Sequence, residues 1–355
     1  MIRSARYLVW LCLLLGCRSR ESASAIPSDG GSSAQAGASA GGGAGEPGMP
    51  SPDPPPFDAG SCSHPQVAAD CSAGFCKIPA GCFVMGSPET DWGRGLKDEN
   101  RTAVTLTHGF EIGEYEVTQS DWAAQGFPNP SQKFDSGPSA GQGDCLTPQC
   151  PVGNVNWFEA VSFANKLSQA HSPPLESCYT LNGCTGAVGQ GLSCASATLS
   201  TATAYECEGY RLPTDAEWEY AARAGTSTSF YTGNITVYSK IGPCYPDAAL
   251  EPIAWYCNNA AGSTHPIGGL QPNAWGLFDV IGNAYEWVHS HYTGASPSGP
   301  VTDPAGEADE TWPERSVRSS AYYSWSTLCR VSSFSMSPWN LAAPGRGFRL
   351  ARTLK

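Results

Sequence analysis

Charged residues make up only 15 % of the 355-residue chain, and 20 Lys and Arg stand against 32 Asp and Glu, for a formal net charge of −12. No basic face is visible, which excludes the electrostatic footprint of a nucleic-acid binder. Histidine is rare, at six, and none of the fifteen cysteines stands in a CxxC pair, so the usual zinc-site spacings are missing. The apolar run Tyr7 to Leu15 is too short to span a bilayer as a helix. What the chain has in quantity is glycine (40), proline (29) and aromatics, a composition that fits a loop-rich fold with a sizeable core.

The N-terminus reads as an export signal. Arg3 and Arg6 precede the apolar run, which closes on Leu14-Leu15-Gly16-Cys17. This resembles a bacterial lipobox, in which cleavage leaves Cys17 as the lipid-bearing first residue; an ordinary signal peptide cut nearby is the plainer reading. Arg18, not Asp, follows, so the usual inner-membrane retention residue is missing and the expected location is lipid-anchored at the outer membrane or cell surface. Residues 18–61 are rich in Ser, Ala, Gly and Pro, a composition that cannot offset its ordering entropy and reads as a disordered tether. The organisation expected is a signal peptide over 1–17, the tether over 18–61 and one folded domain over 62–355.

Removal of Cys12 with the signal and lipidation of Cys17 leave thirteen cysteines in a compartment where disulfides persist. Twelve fall into four even local groups: Cys62, Cys71, Cys76 and Cys82; Cys145 and Cys150; Cys178, Cys184, Cys194 and Cys207; Cys244 and Cys257. Cys329 is left over, and connectivity inside the groups of four stays open.

Along the domain, Lys77 to Ser87 and Val104 to Phe110 read as strands. Three helix starts stand out: Thr118 as an N-cap, Asn156 before Trp157, Val161, Ala164 and Leu167 at helical spacing, and Thr214 with Glu217 in a capping box ahead of a helix that Gly225 ends. The Gly/Ser/Thr-rich segment 168–208 reads as a disulfide-stapled insertion with short strands.

The stretch Asn273 to Trp287, NAWGLFDVIGNAYEW, is dense in glycine, asparagine and aromatics. Taken as a strand, Gly282, Ala284 and Glu286 share one parity, so two backbone carbonyls can converge with the carboxylates of Asp279 and Glu286. An all-oxygen set suits Ca²⁺ before Mg²⁺. The plain alternative is a strand with a core Trp and two solvated acids. His289 and His291, two apart, can share a strand face, and the plain reading is two exposed polar residues. Trp255, Trp287, Trp325 and Trp339 are candidates for a peptide groove but fit a core as well.

The blocks KIPAGCFVMGS, FEIGEYEVTQSDW, PVGNVNWFEAVSFANKL, GYRLPTDAEWEYAARAG, NAWGLFDVIGNAYEW and GRGFRLAR, in that order, resemble the formylglycine-generating enzyme (sulfatase-modifying factor) family over about Cys76 to Arg352. The resemblance implies an α+β fold of the C-type-lectin kind, low in regular structure and stapled by disulfides. It implies a structural Ca²⁺ held by Asp279, the Gly282 and Ala284 carbonyls and Glu286. It also implies O₂-dependent oxidation of a substrate cysteine at a Cu(I) ion held by two thiolates spaced C-x4-C. Here that pair reads Ser324 and Cys329, and the turn before it reads Ser319-Ser320-Ala321-Tyr322. Soft thiolates select Cu(I) and a serine hydroxyl does not. Arg346 and Arg349 read as fold-closing contacts. Three readings follow: a divergent oxidoreductase or metal-binding member acting on a peptide or protein, a non-catalytic module that binds a peptide or partner at the cell surface, and a purely structural lipoprotein.

Overall fold

The computed structural model describes residues 62–94, 99–134, 141–237, 244–291, 299–306 and 313–355. The expected signal peptide, the expected lipidation residue Cys17 and the expected tether lie outside the described residues.

Short strands are gathered into small sheets. One sheet orders Cys71–Ser72, Phe75–Ile78, Phe110–Gly113 and Ala351–Thr353. All its pairings are antiparallel, so the last strand of the chain closes on an early one. A second orders Ser335–Pro338, Glu314–Arg318, Tyr285–His291 and Arg346–Phe348, with the last pair parallel. Gly81–Met85, Thr102–Leu106 and Val301–Thr302 form a third, and the hairpin Tyr179–Asn182/Ser196–Leu199 stands by itself. The segment expected as one strand from Lys77 to Ser87 is two, broken at Pro79-Ala80, because proline has no N–H for a ladder. Likewise Val104 to Phe110 spans the end of one strand and the start of another.

Three helices form where their caps predict. Helix α1, Gln119–Ala124, starts at Thr118, α2, Trp157–Ala170, at Asn156, and α3, Asp215–Arg223, at Thr214. Each carries a complete capping box, in which the cap side chain and the third helical residue satisfy each other's backbone N–H. Helix α3 ends with Ala224 in the left-handed region, one residue before the expected Gly225. The α+β class with little regular structure is as expected.

Six disulfides join Cys62–Cys82, Cys71–Cys76, Cys145–Cys150, Cys178–Cys207, Cys184–Cys194 and Cys244–Cys257. Every pair falls within one of the four sequence groups, because each closes a local loop. Cys329 is the free cysteine among the described residues, and it is buried.

Buried arginine–carboxylate pairs tie the sheets to the helices. Arg211 meets Glu217 through two hydrogen bonds of 2.7 Å and adds Thr353 Oγ1 at 2.8 Å. Arg318 binds Asp215 and Glu219, and Arg330 binds Glu99. Removing one partner of such a pair leaves an uncompensated buried charge. Arg211→Met is therefore expected to lower unfolding free energy by about 3–5 kcal/mol, read from denaturant titration. Thiol titration of residues 62–355, denatured without reductant, should find one thiol per chain.

Candidate functional site

The loop Asp279–Ala284 leads into the strand Tyr285–His291. It is not itself a strand. Asp279, Gly282 and Asn283 have φ of 53°, 83° and 58°, so the parity argument for Gly282 and Ala284 fails and the chain winds through left-handed turns. Glycine is required at 282, since a Cβ there would lie 2.5 Å from the Trp255 carbonyl oxygen.

The two acids are buried, not solvated: Asp279 is 2 % exposed and Glu286 0 %. Asp279 Oδ2 accepts the Gly268 N–H at 2.7 Å, while its Oδ1 is buried without a hydrogen-bond partner. Burial pushes Asp279 up to about 6, opposed by the Gly268 N–H and Arg349. Glu286 is gripped by Arg349, Nε to Oε2 at 2.7 Å and Nη2 to Oε1 at 2.6 Å, and Trp218 Nε1 donates to Oε2 at 2.6 Å.

A third carboxylate, Glu116, was not foreseen. It accepts the Ala284 N–H at 3.0 Å and the Asn283 amide at 2.7 Å, from the segment between the strand Phe110–Gly113 and helix α1, distant in sequence. Burial raises its pKa well above the ordinary range, and Asp279 and Glu286 add to the rise. Its acidic placement in EIGEYEVTQ carries no local signal of this role. Three buried carboxylates thus influence one another across one guanidinium, that of Arg349. Among the described residues no three Asp, Glu, His or Cys side chains converge closely enough to hold a metal by themselves. A cation here would depend on backbone carbonyls. The orphaned Asp279 oxygen and the excess of negative charge fit a hard cation on oxygen ligands.

The Ser324/Cys329 region lies beside this loop. Ser319 Oγ donates to the Gly282 carbonyl, and the Gly282 N–H donates to Ser320 Oγ, both at 3.1 Å. Ser324 Oγ accepts the Ala321 N–H at 3.0 Å and lies 3.3 Å from the Tyr285 hydroxyl. Cys329 Sγ donates to the Trp325 carbonyl at 3.3 Å. Burial pushes the thiol up to about 12, against weaker pulls from Ser320 and Arg330. A buried thiol that is the single free one among the described residues, with serine at position 324, does not fit a two-thiolate Cu(I) site.

Aromatic rings cover this region. Trp255 and Tyr285 pack on a small cluster of Ala260, Ala321 and Tyr322. Tyr323 is 39 % exposed, its ring 6.1 Å from that of Tyr285. Trp287 is fully buried, with Nε1 on the Val155 carbonyl, and belongs to the core. Arg346 and Arg349 are buried contacts that close the fold, as expected. His289 and His291, expected on the surface, are both buried at 6 % because the hairpin and Arg315 cover that face of the strand.

A family model for the sulfatase-modifying factor enzyme 1-like domain matches residues 64–354. The chaperone protein LppX of Paenibacillus barcinonensis is 31 % identical over 53 % of this chain and 65 % of its own length, so the chain spans just under two thirds of that relative. The formylglycine-generating enzyme of Thermomonospora curvata is 26 % identical over 85 % of this chain and 99 % of its own. Among solved structures, Treponema denticola variable protein 1 superposes with a TM-score of 0.61 at 28 % identity, over 79 % of this chain and 95 % of that one. With six sequence blocks in order, the buried pairs that lock them together and a match across most of its length, this chain belongs to the sulfatase-modifying factor enzyme 1-like family.

Proposed function

We propose that this chain is an exported, lipid-anchored binding module of its family that presents an aromatic surface to a peptide or protein partner and does not generate formylglycine. The observation that carries this reading is the Ser324/Cys329 pair. Ser324 supplies a hydroxyl where the family's chemistry needs a thiolate, and the Cys329 thiol is buried and protonated at neutral pH. Copper chemistry is not assigned to these residues, and the divergent oxidoreductase is the weaker reading. The half-buried Trp255 and the exposed Tyr323 offer large, rigid contact area of the kind that anchors peptide partners. Six disulfides support export, since such bonds persist outside the reducing cytosol. Lipid on Cys17 and the 18–61 tether would hold the domain off a membrane surface.

A structural Ca²⁺ is part of the same proposal. Asp279 and Glu286 with the Gly282 and Ala284 carbonyls would hold it. It would supply positive charge to a loop where carboxylates outnumber the arginine beside them.

A sulfatase-type CxPxR peptide supplied with Cu(I) and O₂ should give no formylglycine by mass spectrometry. Turnover comparable to that of an intact enzyme of the family would overturn the proposal. Ser324→Cys should raise Cu(I) affinity above that of the natural protein, as measured by competition with a chromophoric chelator. For the cation, removal of Ca²⁺ with EGTA should lower Tm, with saturating Ca²⁺ contributing about 2.7 kcal/mol at a hundredfold excess over Kd. Asp279→Ala should abolish the Ca²⁺-dependent part of Tm; an unchanged melting curve in the natural protein removes the site.

A further inference from the structure

Asn283 stands between Gly282 and Ala284, the two residues whose carbonyls would hold the proposed Ca²⁺. It is fully buried, and its backbone is left-handed at φ 58°, a conformation that asparagine tolerates. An asparagine carries a main-chain donor and acceptor and a side-chain amide with one oxygen and two N–H bonds. Each of these groups has a partner. The main-chain N–H donates to the Trp255 carbonyl at 2.8 Å, and the main-chain carbonyl accepts the Tyr322 N–H at 2.9 Å. The side-chain oxygen accepts the His265 N–H at 2.8 Å. The side-chain nitrogen donates to Glu116 Oε2 at 2.7 Å and to the His265 carbonyl at 3.2 Å.

Trp255, His265 and Tyr322 all belong to the aromatic region. The His265 ring lies flat on the Trp255 ring, with centroids 3.8 Å apart and planes 9° apart, and its Nε2–H donates to the Ala260 carbonyl at 3.0 Å. The Trp255 indole N–H is buried without a hydrogen-bond partner among the described residues, so ring packing and not a hydrogen bond orients it. The Tyr322 ring meets the exposed Tyr323 ring edge to face, with centroids 4.9 Å apart. Glu116, the remaining partner, accepts the Ala284 N–H at 3.0 Å through its other oxygen. One carboxylate therefore ties the Asn283 side chain to the backbone of Ala284. A shift of the Gly282 or Ala284 carbonyl toward a cation carries Asn283 with it, and Asn283 carries the backbones of Trp255, His265 and Tyr322. Contiguous hydrogen-bonded and packed groups of this kind are the physical route by which one site biases another.

We propose that Asn283 is a positioning residue that couples cation occupancy of the Asp279–Glu286 loop to the aromatic surface, so that the face offered to a partner is set by Ca²⁺. The coupling rests on the Ca²⁺ site and the binding surface proposed above. Linkage is reciprocal: a partner that Ca²⁺ helps to bind tightens Ca²⁺ in turn by the same factor.

The full chain, carrying fluorine-labelled tryptophan and isotope-labelled histidine, would be titrated with CaCl₂ and followed by NMR, with calorimetry as the direct measure of Ca²⁺ binding. Trp218, whose Nε1 donates to Glu286, reports the loop itself, while Trp255 and His265 report the surface. All three signals should shift with one half-saturation concentration. Asn283→Gly keeps the left-handed backbone and both main-chain bonds but deletes the side-chain clamp. In that variant the His265 shift should be lost while the Trp218 shift persists. His265→Ala, at a half-buried position, should diminish the Trp255 shift with the Trp218 shift retained, and it decides the matter if the glycine variant fails to fold. The coupling alone is overturned if Trp218 responds to Ca²⁺ while Trp255 and His265 do not, or if the surface signals respond undiminished in every variant that folds. If neither Trp218 nor calorimetry detects Ca²⁺, the cation site falls and the coupling falls with it. The formylglycine assay tests the binding-module reading separately from all of these signals.

Discussion

Arg349 meets Glu286 with two parallel hydrogen bonds where neither side chain reaches solvent. The same guanidinium donates to the carbonyls of Gly113 and Phe278, each at 3.0 Å, and Trp218 donates to the same carboxylate. One ion pair therefore joins the C-terminal segment, an early strand, the loop ahead of Asp279, the central strand and helix α3. Burying two charges is costly, and a pair survives only when the remaining hydrogen-bonding capacity of each ion is met. Here neighbours from three other parts of the chain meet it. The consequence is that these parts cannot shift independently, which suits a fold with short strands and few helices.

The same logic repeats around the core. Arg211 with Glu217 joins an irregular segment to helix α3, Arg318 with Asp215 and Glu219 joins a strand end to the same helix, and Arg330 with Glu99 joins two irregular segments. Where backbone ladders are short, side-chain pairs of fixed geometry specify how the pieces meet. The six disulfides act differently: each closes a local loop and limits the unfolded chain.

Much of this was legible in the sequence, because much of it is local. Thr118, Asn156 and Thr214 announce their helices, since a capping box is written within four residues. The disulfide groups were legible for the same reason, and Cys329 was left over by simple counting. The losses are non-local. Glu116 joins the Asp279–Glu286 loop across 168 residues, through a hydrogen bond from Ala284 that no spacing rule could indicate. The strand reading of Gly282 and Ala284 failed because Asp279 and Asn283 adopt left-handed backbone, which Asp and Asn tolerate without a sequence signature as plain as glycine's. His289 and His291 were placed on one strand face, but their burial depends on a hairpin whose position the sequence does not specify.

The Ser320 hydroxyl takes the Gly282 N–H while the Ser319 hydroxyl donates to the Gly282 carbonyl. Two neighbouring hydroxyls thereby clamp one residue's peptide groups and make the acidic loop and the turn before Ser324 parts of one mechanical unit. Where that loop sits therefore fixes where the Ser319–Tyr322 turn begins.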